Sequence, residues 1–433
     1  MSIFQNILGL ITIIAMIVLL VKKYESRMVL FSCGFFLCVV AFKPFDAFNA
    51  FSTAMKNAKV IEPIVASMGF AYVLKLTECD KHLVYALSKV LKFANGAMLV
   101  FGAVIITAII NISITSSSGC SAAVGAIIIP FLMRMGVHPA ISACTVFLGT
   151  YGSANLNPGY AQTIIVADVS KSSVIDVIHY EAIYFGISAL ICASLLSLVA
   201  VFLKEHKGYV AQDLANDANF KVNAIKAIIP VIPVAILIIS HIQGVKDYYE
   251  QIFSNKMPDI KISYAMIFGS FLAFLVCMKN VKSADVVKKF FAGMGEGFAH
   301  VYGIITCALI FVAGLKAIGF VNELIELMKA NPNIASFAGN TGTFILALIT
   351  GSGDAAALSF NQAVTIHAND FGIEPMHLGS AITAVAGLGR SMSPIAGAAI
   401  ICAGYAKVNP IELAKRNAIP TIVASIVYVL ITL

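Results

Sequence analysis

The 433-residue chain is 59% hydrophobic and only 12% charged, with a mean hydropathy of +0.91; a soluble domain carries about 25% charged residues, so that class is excluded. Continuous apolar runs of about 18–20 residues fit membrane-crossing helices and exclude a transmembrane β-barrel, which needs alternating segments of about ten. The net charge of +7 is scattered between the runs, as topology determination requires, and forms no nucleic-acid-binding stripe.

In chain order, the expectation is an all-α polytopic membrane protein built from two repeats. The first, 1–210, has scaffold spans within 3–76 (about 3–21, 28–43 and 60–76) and an amphipathic interfacial arm at 78–93. A hairpin at 95–135, a broken helix at 138–170 and a span at 178–203 follow. The second, 211–433, has scaffold spans within 223–315 (about 223–241, 262–279 and 298–315), an arm at 319–330, a hairpin at 337–370, a broken helix at 376–405 and a span at 416–433. Residues 1–21 lack a basic n-region and an A-x-A-like end, so they read as a retained span. Of the nine cysteines all but Cys79 fall in apolar runs, and no CxxC occurs; they read as small buried hydrophobes.

The breaks carry the information. Ile114-Thr-Ser-Ser-Ser-Gly-Cys-Ser121 puts four hydroxyl residues in a row at mid-membrane depth, which suits two half-helices meeting at a polar tip better than one straight helix. Gly149-Thr-Tyr-Gly-Ser-Ala-Asn-Leu-Asn-Pro-Gly159 interrupts the next segment. In the second half, Ile349-Thr-Gly-Ser-Gly-Asp-Ala355 is the counterpart of the first tip, and Gly387-Leu-Gly-Arg-Ser-Met-Ser-Pro-Ile-Ala-Gly397 of the first break. Arg390 at the centre of an apolar segment costs about 2.5–3.5 kcal/mol or more unless it lines a polar cavity. Backbone freed by glycine and proline also needs partners that hydrocarbon cannot supply.

Single identities recur between the halves at a nearly constant offset: Ile114, Thr115 and Ser117 against Ile349, Thr350 and Ser352; Gly136 against Gly372; Pro139 against Pro375; Pro158 against Pro394; Lys171 against Lys407; Phe51 and Met55 against Phe290 and Met294. The same succession of elements twice argues duplication. Five crossings and one re-entrant hairpin per half make the copies inverted. About two-thirds of the 29 lysines and arginines then fall on one face, which the positive-inside rule makes cytoplasmic, with both termini periplasmic.

Inverted repeats with discontinuous helices imply a secondary transporter with a midplane site, because half-helix N-termini present unpaired N–H groups and positive dipole ends to an anion. Candidate substrate ligands are Thr115, Ser116, Ser117, Ser118 and Gly119 at the first tip, Ser153, Asn155 and Asn157 at the first break, Thr350, Gly351, Ser352 and Gly353 at the second tip, and Arg390, Ser391 and Ser393 at the second break. Arg390 is placed to take one carboxylate in two-pronged fashion while tip hydroxyls and amides hold the other. Asp354 is read either as a cation- or proton-coupling residue or as a helix cap. The histidines at 241, 300 and 367 show no ligand-like clustering, so no metal and no cofactor beyond a coupling ion, Na+ or H+, is expected.

The motifs Gly351-Ser-Gly-Asp354, Gly387-Leu-Gly-Arg-Ser-Met-Ser-Pro394, Ala406-Lys-Val-Asn-Pro-Ile-Glu-Leu-Ala-Lys-Arg416, Met294-Gly-Glu-Gly-Phe-Ala-His300 and Gly314-Leu-Lys-Ala-Ile-Gly-Phe-Val-Asn-Glu-Leu324 resemble those of the anaerobic C4-dicarboxylate transporter C family. The resemblance covers most of the second half closely and the first half more loosely. It implies uptake, exchange or efflux of succinate, fumarate and malate across a bacterial inner membrane. It also implies the ion transporter superfamily, whose members use an elevator motion and often dimerise. Sodium-coupled relatives carry Ser-Asn-Thr at the hairpin tips; here the tips read Ser116-Ser-Ser-Gly119 and Gly351-Ser-Gly-Asp354 instead. Beside this stand transport of another small carboxylate or an amino acid and, more distantly, a channel or an intramembrane hydrolase. No G-x-S-x-G or H-E-x-x-H occurs and no histidine neighbours Ser391 or Ser393, so no enzyme is expected.

Overall fold

The computed structural model describes residues 3–22, 24–210, 220–253, 255–258, 260–320 and 332–433. Its elements are helical, with no strand among the described residues. The chain begins with α1 (Ile3–Val21), α2 (Ser26–Val40), α3 (Pro44–Met55), α4 (Ala58–Thr77) and α5 (Cys79–Ser88). Next come α6 (Gly96–Ser113), α7 (Ser117–Arg134), α8 (Pro139–Gly149), α9 (Ala161–Ser170) and α10 (Val174–Phe202). Among the described residues, six helical stretches are long and apolar enough to cross a membrane: 58–77, 96–113, 117–134, 174–202, 283–317 and 410–432.

The second half opens with α11 (Ala224–Ile228) and α12 (Ile232–His241), then α13 (Gln243–Phe253), α14 (Ile262–Cys277), α15 (Ser283–Glu296) and α16 (Gly303–Ala317). It closes with α17 (Pro332–Thr350), α18 (Gly353–Ala363), α19 (Pro375–Arg390), α20 (Gly397–Ala406) and α21 (Pro410–Thr432). The expected arm at 319–330 lies mostly outside the described residues. The single span expected at 223–241 is split, since Pro230 follows the end of α11 and Pro233 sits in the first turn of α12; proline removes a ladder donor and breaks the rod. The span expected at 28–43 stops at Val40, where Phe42 takes a left-handed φ of 57° and Pro44 opens the unforeseen α3. The final helix begins at Pro410, six residues before the expected start.

Local chemistry sets the helix ends. Ser116 caps α7 by accepting from the Gly119 N–H at 3.2 Å, and Ser352 caps α18 by accepting from the Ala355 N–H at 3.1 Å. Ser173 and Asp176 form a reciprocal box at the start of α10. Residue pairs matched in the sequence share backbone conformation. Pro139 and Pro375 occupy the first turns of α8 and α19. Gly136 and Gly372 both have positive φ, of 91° and 73°, and Lys171 and Lys407 end α9 and α20 in the left-handed region.

Contacts repeat in the same way. α2 packs on α16 as α14 packs on α4, and α8 on α20 as α19 on α9. α6 and α7 both touch α8; their counterparts α17 and α18 both touch α19. One difference stands out. A turn at Lys56–Asn57 separates α3 from α4, whereas α15 runs on into α16 through a π-helical stretch, Gly297–Tyr302. The largest apolar core joins α6, α7, α8 and α10 to α19, α20 and α21 through side chains such as Val104, Ile128, Phe147, Leu196, Leu388 and Tyr428, all 0% exposed.

Candidate functional site

Four chain breaks meet in one place. The helices that follow them contribute their first residues, Ser117 and Ser118 of α7, Ala161 and Gln162 of α9, Gly353 and Asp354 of α18, and Gly397 and Ala398 of α20, to one cavity of about 250 Å³. Four helix N-termini therefore direct unpaired N–H groups and positive dipole ends toward one space. Pockets for drug-sized ligands run to ~300–1,000 Å³, so this one suits a small solute.

Arg390, the last residue of α19, is 7% exposed and is the one permanent cation among the described lining residues. Its Nη2 donates to the Thr150 carbonyl and, at 3.4 Å, to Thr150 Oγ1. Its Nη1 is buried and has no hydrogen-bond partner among the described residues. A buried guanidinium held through one nitrogen, with the other unpaired among the described residues, has donors to spare for an anion. The anchor is set by backbone contact: a Cβ added at Gly387, one turn earlier, would lie 1.7 Å from the Tyr151 carbonyl oxygen, so α19 can press against the first break only with glycine there.

Asp354, opposite in charge, is exposed to the cavity. Its Oδ1 accepts from the Tyr160 hydroxyl and from Gln162 Nε2, both at 2.6 Å. The capping role considered for it belongs to Ser352 instead. The pair of bonds ties the second tip to the start of α9, across the two halves.

Of the sequence candidates, Thr115, Ser116, Ser117, Ser118, Asn155, Gly351, Ser352, Gly353, Asp354 and Arg390 line the cavity. The others do not. Gly119 spends its N–H on Ser116. Ser153 donates to Asn111 Oδ1 at 3.1 Å, and Asn157 donates to the Ile112 carbonyl at 2.7 Å, so both brace the first break against α6. Thr350 and Ser391 bond back to Leu346 and Gly387 on their own helix, and Ser393 is fully buried with its Oγ unpaired among the described residues. Sequence reasoning overlooked Thr150, Tyr151, Tyr160 and Gln162, and the wall formed by Ile64, Ser67 and Met68 of α4 with Val301 of the π-helical stretch. Tyr160 and Gln162 had a signal, since they directly follow Pro158-Gly159 where a helix restarts. Val301 had none, because a π turn leaves no composition cue.

The chain matches the family described as C4-dicarboxylate anaerobic carrier over residues 4–433. Among curated proteins, an uncharacterised transporter of Haemophilus influenzae is 33% identical over 61% of this chain and 94% of its own length. The anaerobic C4-dicarboxylate transporter DcuC of Escherichia coli K12 is 22% identical over 99% of this chain and 96% of its own. Among solved structures, Neisseria gonorrhoeae MtrF, presented as illuminating a class of antimetabolite efflux pumps, superposes with a TM-score of 0.54 at 11% identity, covering 89% of this chain and 82% of that one. That likeness concerns the fold alone.

Proposed function

The chain belongs to the C4-dicarboxylate anaerobic carrier family, and from that premise we propose that it moves C4-dicarboxylates such as succinate, fumarate and malate across the bacterial inner membrane by secondary, alternating-access transport. The observation that carries the reading is Arg390: a buried guanidinium with one idle nitrogen, at the meeting point of four helix N-termini. One carboxylate of the solute takes Arg390 Nη1, and the other takes the hydroxyls and N–H groups of Ser116, Ser117 and Ser118 at the first tip. Ser352 and Asn155 fill the remaining polar positions. Asp354 repels a dianion unless a cation, Na+ or a proton, joins it, so substrate entry and cation uptake at Asp354 are coupled by charge.

The exchange of contacts between halves supports inverted repeats as the source of the two access states. In the elevator form of the mechanism, α1–α4 with α11–α16 are the fixed scaffold; α6–α10 with α17–α21 carry the solute, and α5 is the linking arm. The charge bias puts both termini in the periplasm. Apolar side chains exposed on α3 and α14, among them Phe45, Phe48, Phe268 and Phe271, meet lipid or the second subunit of a homodimer.

Uptake of radiolabelled succinate into proteoliposomes, competed with fumarate, aspartate and arginine, tests the substrate class. Succinate that neither competes nor exchanges would sink it. The second reading, an amino acid, is favoured by Asp354, whose carboxylate would pair with an α-ammonium; strong competition by aspartate alone identifies that case.

A further inference from the structure

One carboxyl outside the cavity has no explanation in the transport site. Glu181 lies about two turns into α10, is 0% exposed, and neither of its oxygens has a hydrogen-bond partner among the described residues. Two hydroxyls that face it are unpaired in the same sense: Ser380 Oγ from α19 and Tyr428 OH from α21. α10, α19 and α21 pack on one another. An ionised carboxylate without partners is strongly disfavoured in such surroundings.

The cluster lies between the surface and the cavity. Toward the surface, Tyr180 stacks on the His377 ring at 4.6 Å, and His377 pairs with Glu374 at 3.1 Å. Toward the cavity, the Tyr428 ring lies 5.5 Å from Phe185, one turn beyond Glu181, and the Phe185 carbonyl accepts the hydroxyl of the cavity-lining Tyr151. α19 joins the two places directly, since Ser380 and Arg390 sit on one rod about 15 Å apart. The titratable groups facing Glu181 are Tyr428 from α21 and Tyr180 and Tyr184 on α10, with Tyr151 beyond Tyr428. From α19 come Ser380 and, at the outer end, His377 and Glu374. α6 has no titratable side chain, Cys144 of α8 points to the Leu413 carbonyl, and Asp168 of α9 bonds Asn57 instead.

We propose that Glu181, with the Ser380 and Tyr428 hydroxyls, is a proton-binding site of the transport cycle, separate from the cavity. The carboxylate takes a proton from water on the side of Glu374 and His377 in one access state. It returns the proton to water on the opposite side in the other state, when α10, α19 and α21 have moved. This rests on the alternating-access reading above.

Proteoliposomes with a pH-sensitive dye inside and succinate outside test it. Glu181→Gln is expected to bind succinate within about twofold of wild type, because Glu181 does not touch the cavity, and to lose succinate-driven proton entry by about tenfold or more. Wild-type proton entry in Glu181→Gln overturns the proposal, as does a wild-type protein that exchanges succinate without moving protons. An infrared difference spectrum without substrate is expected to show a protonated-carboxyl band in the wild type that Glu181→Gln lacks. Absence of that band from the wild type overturns the proposal even if succinate is the wrong solute, which wild-type exchange reports separately. If Glu181→Gln does not reach the membrane, Ser380→Ala and Tyr428→Phe retain the carboxyl. Each is expected to shift the pH midpoint of uptake by about half a unit or more, and unchanged midpoints in both overturn the proposal.

Discussion

Arg390 and Asp354 are the guanidinium and the carboxyl of the described cavity lining, so they are the positions where a single change is most informative. Arg390→Ala is expected to weaken succinate binding about 100-fold, the value of two charge-assisted hydrogen bonds at about 1.5 kcal/mol each, while the protein still reaches the membrane; calorimetry on the purified protein reads this. Arg390→Lys should recover little of it, since an ammonium cannot engage both carboxylate oxygens in the guanidinium's fork geometry. Gly387→Ala forces a methyl group into the Tyr151 carbonyl, and a cost of about 1–3 kcal/mol is expected as a lowered thermal midpoint. These charged residues were legible in the sequence because an arginine or aspartate inside an apolar segment needs a reason. Serines were less so: Ser116 and Ser391 look alike on paper, yet one lines the cavity and the other bonds back to the Gly387 carbonyl. Which way a hydroxyl turns depends on the capping register of its helix, and that is fixed by neighbours in space.

At the scale of the helix, the breaks were readable and the joins were not. Glycine, proline and serine clusters marked the ends of α6, α8, α17 and α19 because those residues fail in hydrocarbon for known reasons. The amphipathic α3 escaped notice because its Asp46 and Asn49 make Pro44–Met55 look like a loop between spans. Ser352→Ala removes the cap of α18 and is expected to cost about 1 kcal/mol. It also loosens the helix start that holds Asp354, so the Tyr160 and Gln162 bonds should weaken with it. The expected result is a lower melting temperature together with weaker substrate protection against melting. Ser391→Ala, which loses the bond to the Gly387 carbonyl and a long one, 3.5 Å, from Arg390 Nη2, should cost about 0.5–1 kcal/mol of stability and leave substrate protection closer to wild type than Ser352→Ala does.

Across the whole molecule, the last helices of the two halves are fastened together. Arg416 of α21 grips Glu205, just past α10, through Nε and Nη2 at 2.7 and 2.6 Å, and also holds Glu412 at 2.7 Å. Arg416→Met leaves the half-buried Glu205 with the longer 3.7 Å contact to His138 Nδ1 in place of the guanidinium, and a loss of about 2 kcal/mol is expected, read as a lowered unfolding midpoint in detergent. The pairing of the two halves was read from matched residues such as Lys171 and Lys407 recurring in order, and those two share a left-handed backbone. The cavity wall made by α4 and the π-helical stretch has a different character from the rest. Ile64, Met68 and Val301 are apolar there, and Ser67 is the lone polar contributor. A charged cargo would find one polar handle on this wall, Ser67, and the rest of them opposite. Under the alternating-access reading proposed above, the passenger rides with Arg390, and the wall it leaves behind holds it through Ser67 alone.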